Sequence, residues 1–237
     1  MTEMTNLEKG FNDTEMVQRL SKIDDISYWR SLNPDSTISD FPFEGLKDEP
    51  KIKQEDLDRY LTQLQEEGYF QTEPLVPEST IQEMLRCIES VKQAGFPPIF
   101  ALVYDVFYNV FKHFDSVLSG ILQPGYKMIP NFWFFYVNPC EDSKGFEPHR
   151  DREYGNTIDA SSGLPTVVTV WIPITAADPL NSCLYMLPTN RDPHYAEATR
   201  NLEINVTPFA FRRCAGNSSQ SRYPFLLGSV HFALGES

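Results

Sequence analysis

Apolar residues recur at three- and four-residue steps through "QEDLDRYLTQLQEEG", at Leu57, Tyr60, Leu61 and Leu64, and Gly68 follows them. This spacing predicts a surface helix stopped by glycine. "YFQTEPLV" then predicts a short strand or extended piece. In "PESTIQEMLRCIESVKQAG" Pro77 and Ser79 open a second helix, Ile81, Met84, Leu85, Ile88 and Val91 form its stripe, and Gly95 ends it. "IFALVYDVFYNVFKHFDSVLSGIL" predicts a third, largely buried helix. Residues 1–50 differ. They are polar and rich in acid, Ser, Asn and Pro, with one short amphipathic candidate around "EMVQRLSKIDDISYW". They read as an extension that packs loosely, or as a partner-binding arm.

Beyond Pro124 the period changes. "YKMIPNFWFFYVNP", "TVVTVWIPIT" and "CLYMLP" are β-branched and aromatic runs punctuated by Pro, Asn and Gly, the pattern of strands. Helices first and strands later predict an α+β fold, here a β-sandwich or barrel with helices packed on one side.

Composition narrows the function. A chain of 237 residues with 41% hydrophobic and 13% aromatic residues buries a substantial core. The net charge of -13 argues against a nucleic-acid partner, because phosphate recognition rests on clustered Lys and Arg. A local pocket of opposite sign keeps small anionic ligands open. No apolar stretch is long enough to predict a membrane-spanning helix. The acidic opening lacks an apolar signal core, and Cys87, Cys140, Cys183 and Cys214 are scattered without a CxxC pair. Both features predict an intracellular, cytoplasmic protein with reduced thiols.

The chemistry concentrates in "GFEPHRD", residues 145–151, in a chain with four histidines. In an extended segment residues i and i+2 point to one face, so His149 and Asp151 can aim an imidazole and a carboxylate at one point. A distant second His would complete a 2-His-1-carboxylate triad with open positions on Fe(II). The HxD tripeptide alone is weak, since most such tripeptides are surface loops.

Its surroundings add to it. An aromatic strand, "NFWFFYVNP", leads into PHRD, and "VWIPITAADPLNSCLYMLP" follows after a loop. From about Gly68 to about Tyr195 the sequence resembles the phytanoyl-CoA dioxygenase family of Fe(II)- and 2-oxoglutarate-dependent oxygenases. Asn181-Ser182 stands where that family usually has Asn-Gly. The resemblance implies a double-stranded β-helix (a cupin-like jelly-roll) with packed N-terminal helices, an oxygenase-like domain over 51–237, and a small-molecule substrate. It implies His149 and Asp151 as metal ligands and Trp171 as an aromatic flanking the cosubstrate 2-oxoglutarate. A core aromatic in a buried strand is the equal alternative for Trp171. For Tyr126, Trp133, Tyr136 and Tyr185, core filling is the stronger reading.

From about residue 208 the likeness lapses. The family places its second His in a phrase such as Leu-His-Trp-Gly and follows it with a basic anchor for 2-oxoglutarate. His194 sits in "RDPHY", which reads as an exposed loop. His231 lies at about the right distance from HRD, but in "SVHFALGES", and no Arg or Lys follows Arg222. Read one base later, codons for Val230 to Ser237 permit Ser-Ile-Leu-His-Trp-Gly-Ser, and those from Gly216 permit Gly-Thr-Val-Leu. This suggests a frame change near Phe211 to Cys214, with His231 not equivalent to the family's histidine and the last strands incomplete or altered, leaving exposed sheet edges.

Two functions follow. One is an Fe(II)/2-oxoglutarate-dependent dioxygenase that hydroxylates a small molecule. The other is a catalytically defective jelly-roll that acts only as a binding module. A cupin-like isomerase with another divalent metal is a third reading, but it would normally need more nitrogen ligands than the spacing supplies.

Overall fold

The computed structural model describes residues 13–40, 51–136, 159, 161–177, 183–193 and 225–233. Its contacts divide the chain into two units, Met1–Gly45 with Glu78–Val110, and Leu46–Pro77 with Phe111–Ser237.

The first unit is helical. Helix α1 spans Asp13–Ile23 and α2 spans Ile26–Leu32. Asp25 caps α2 by accepting from the backbone amides of Ser27 and Tyr28 at 2.9 and 3.2 Å, which satisfies two donors that a helix start leaves free. Helix α4, Glu78–Gln93, buries Met84, Cys87, Ile88 and Val91, members of one stripe at three- and four-residue steps. Against these lies Trp29, only 2% exposed. Its ring stacks on Phe100 and tilts against Phe96 at 4.9 Å, its indole N–H donates to the Ile23 carbonyl at 2.8 Å, and its own carbonyl accepts from the Tyr104 hydroxyl at 2.7 Å. Ser39 donates its backbone N–H to buried Asp105, and the Asp105 N–H donates to the Thr37 carbonyl. Residues 26–39 are therefore tied into a core and are not the loosely packed arm expected.

The single helix expected over 99–122 is broken. A 3-10 turn covers Pro98–Val103, Tyr104 is extended with φ -87° and ψ 139°, and α5 is only Val106–Asn109. A second 3-10 turn, Val110–Phe114, precedes α6, Asp115–Leu122. The break has a tertiary cause. Extension at Tyr104 accompanies the hydroxyl bond to Trp29 and the Asp105 bonds to residues 37–39, which an unbroken helix would not reproduce.

In the second unit, α3 spans Gln54–Glu67 and buries Tyr60, which stacks on Phe70. Gly68 caps it with φ +79° and donates its N–H to the Leu64 carbonyl. The Thr189 hydroxyl donates to the Glu66 carbonyl at 3.2 Å, and a Cβ placed on Gly68 would collide with the Thr189 methyl. The start of α6 is held by two hydroxyl bonds: Ser116 Oγ accepts from the Ile52 amide, and Tyr126 Oη donates to Asp115.

Three strands complete this unit: β1 Lys127–Tyr136, β2 Val167–Pro173 and β3 Phe225–Ala233. They form an antiparallel sheet in the order β1-β3-β2. The tail thus supplies the central strand of this sheet, where altered or incomplete strands were expected. Strand β1 departs from regular register between Met128 and Phe132, the stretch that contains Pro130, as proline inside a strand requires. "YFQTEPLV" and "CLYMLP", both read as extended or strand pieces, form no strand; Leu184, Tyr185, Met186 and Leu187 are exposed instead. The described residues are mixed helix and strand, and they do not close into a jelly-roll. No helix among them is long and apolar enough to cross a membrane.

Candidate functional site

The site builds on the sheet. Antiparallel partners sit side by side, so three-strand rows follow from the register. Phe132, Val230 and Val170 make one row, Phe134, Leu227 and Ile172 the next, and Phe135, Leu226 and Pro173 a third. Between the first two rows β1 and β2 each advance by two residues, whereas β3 advances by three. The extra residue is a β-bulge at Gly228-Ser229. Trp133 on β1 and Trp171 on β2 both face this bulge along the sheet, at the same level.

Alternation gives the faces. Val168 and Ile172 are buried, while Thr169 and Pro173, at alternate positions, are exposed, and Trp171 belongs with that second set. The Phe135–Pro173 row places Phe135 on the face of Pro173, and Trp133 joins it two residues away. One face of the sheet thus carries Trp133, Phe135 and Trp171. Trp133 is 41% exposed, and its ring runs nearly parallel to that of Phe135, 20° apart with centroids 6.2 Å apart. Trp171 is half-buried.

This corrects the expectation that Trp133 and Tyr185 fill a core, since both are exposed. Tyr126 is half-buried, and burial together with its bond to Asp115 pushes its hydroxyl pKa well above the ordinary tyrosine value. Strict alternation in "NFWFFY" already places Trp133 and Phe135 on one face.

His149, Asp151 and His194 lie outside the described residues, as do Asn181 and Ser182. Among the described residues no group of three or more His, Cys, Asp and Glu is arranged to hold a metal ion. His231 is described by its register. It is the Cα partner of Thr169, whereas Tyr136, the last residue of the strand that leads toward 145–151, pairs with Phe225. Six residues of strand separate Phe225 from His231, about 20 Å at the usual rise.

The loop entering β2 holds a compact turn. Asp159 accepts from the Ser161 amide and from the hydroxyls of Ser161 and Ser162, which lower its carboxyl to about 2. Its bonds are all local, so the turn shapes the approach to β2 rather than forming a reactive carboxylate.

Residues 100–204, a little under half of the chain, match the family model described as phytanoyl-CoA dioxygenase. No curated protein and no solved structure matches the chain.

Proposed function

Taking residues 100–204 as a phytanoyl-CoA dioxygenase domain, we propose that this chain is built as an Fe(II)/2-oxoglutarate-dependent oxygenase acting on a small molecule. The observation that carries the reading is the extent of the match, which spans His149, Asp151 and Trp171 together. In this reading the sheet extends into the jelly-roll typical of the family.

The donor set suits the metal. A neutral imidazole and a carboxylate are the nitrogen and oxygen donors that ferrous iron accepts in oxygenases with open positions. His149 would bind through its unprotonated nitrogen, so affinity falls as pH drops through the imidazole range. Asp151 would contribute negative charge that offsets part of the ion's charge. Trp171 would lie against the cosubstrate and keep water from it. When bound, iron and 2-oxoglutarate together supply the oxidising power for hydroxylation of a substrate carbon. The chain's own task is to orient the substrate and exclude solvent.

The test is succinate formation by iron-loaded protein given 2-oxoglutarate. Succinate that disappears in His149→Ala and Asp151→Ala supports the reading, and its absence in the parent protein rejects it.

The second reading, a catalytically defective jelly-roll acting only as a binding module, rests on the phrase "SVHFALG" around His231, which stands where the family has Leu-His-Trp-Gly. The same assay, joined to Fe(II) binding, separates the two.

A further inference from the structure

The first unit holds a cleft of about 250 Å³ between the end of α2 and α4, with Asn33, Asp35 and Ser36 on one wall and Arg86, Glu89 and Gln93 on the other. Arg86, Glu89 and Gln93 recur at three- and four-residue steps, so α4 presents them on one face. Two contacts join the walls: Ser90 Oγ donates to Asn33 Oδ1 at 2.9 Å, and Ser36 Oγ lies 3.3 Å from Cys87 Sγ. The cleft is therefore formed before any ligand arrives. Its charged groups are uncommitted. Arg86, Asp35 and Glu89 are exposed, and among the described residues none of them makes an ion pair. Asn33 is only 8% exposed; it lies beside the Tyr104 hydroxyl, but its Nδ2 makes no hydrogen bond and remains a donor to be satisfied.

We propose that this cleft binds a small zwitterion, a molecule of free amino-acid size carrying one carboxylate and one ammonium group. The charges select that class. A simple anion pairs with Arg86 but meets the carboxylates of Asp35 and Glu89, and a simple cation pairs with those but meets Arg86. A neutral polyol leaves all three charges unmatched. A zwitterion uses both signs: the guanidinium takes the carboxylate through charge-assisted hydrogen bonds, and Asp35 and Glu89 take the ammonium group. Size agrees, because 250 Å³ is the space of about eight waters at ~30 Å³ each. Every lining residue precedes residue 100, where the family match begins, so the proposal stands or falls independently of the oxygenase reading.

The probes are L-alanine, propionate and ethylamine, three molecules of similar size that carry both charges, the negative one alone and the positive one alone. Calorimetry on the full chain measures their binding. Alanine is expected to bind at least about tenfold tighter than either analogue, and Arg86→Gln and Glu89→Gln each to weaken it about tenfold, the scale of losing one charge-assisted contact. Arg59→Gln, on α3 in the second unit, should leave alanine binding unchanged. Both cleft substitutions fall at exposed positions, and far-UV circular dichroism checks that the variants fold. Alanine that does not bind overturns the proposal. So do analogues that bind as tightly as alanine, and so does binding indifferent to both Arg86→Gln and Glu89→Gln.

Discussion

Trp133 and Trp171 face the same bulge of β3 from opposite sides, each between a row through Val230 and a row through Leu227. That shared level is set by β3 advancing three residues where each outer strand advances two.

His231 is the partner of Thr169, six residues along β3 from the end that pairs with Tyr136. His231→Ala is expected to leave Fe(II) affinity within about twofold of the parent, well inside the tenfold that 1.4 kcal/mol represents. A loss of tenfold or more would make this histidine a ligand.

Gly68 combines a left-handed backbone with a blocked Cβ position. Gly68→Ala should destabilise the chain by about 1–2 kcal/mol from the backbone conformation alone, with the Thr189 methyl adding to it. Adding Thr189→Ser removes the methyl and keeps the hydroxyl for the Glu66 carbonyl, so the double variant should recover part of the loss. Denaturant midpoints of the two variants measure the coupling.

Cys87 is fully buried, and burial pushes its thiol up to about 11 against the opposing hydrogen bond from Ser36. At about pH 8 only roughly a thousandth of such thiols are ionised. Cys87 should therefore react with a disulfide reagent only as fast as the first unit opens. A rapid reaction at this thiol, located by peptide mapping, would contradict the packing of α4.

The Asp159 carboxyl, lowered to about 2 by the Ser161 and Ser162 bonds, has a folded pKa below its unfolded value near ~3.9. Its contribution to stability is therefore present above about pH 4 and is lost as pH falls toward about 2. Asp159→Asn should flatten that part of the acid unfolding curve, measured as midpoint against pH, and leave neutral pH less sensitive to further acid.

Local periodicity made α3 and α4 legible, because Leu57, Tyr60, Met84 and Ile88 recur at helical spacing and Gly68 and Gly95 close the runs. The strands β1 and β2 were legible from their aromatic and β-branched content. What the local pattern could not carry was partnership across the chain. A single tryptophan in a polar segment, Trp29, orders the first unit through contacts with residues 67 to 75 positions away, and composition averaged over 1–50 conceals it. Tyr104 and Asp105 looked helical among apolar neighbours, yet their hydrogen bonds reach back to residues 29–39 and break the run. β3 was hidden for the same reason: "FLLGSVHFA" has weak alternation around its bulge, and its strand character comes from ladders on both sides. Of the candidate site, residue type and spacing single out His149 and Asp151, which lie outside the described residues. The shared level of Trp133 and Trp171 was not legible, because it depends on a register that only the third strand defines.

The most direct test of the oxygenase reading is an anaerobic Fe(II) titration of the full chain with 2-oxoglutarate present, followed by the visible charge-transfer absorption of the iron chelate. The account predicts saturation at one equivalent, loss of the band in His149→Ala and Asp151→Ala, and its retention in His231→Ala. A parent protein that develops no band, or a band indifferent to His149 and Asp151, would contradict it.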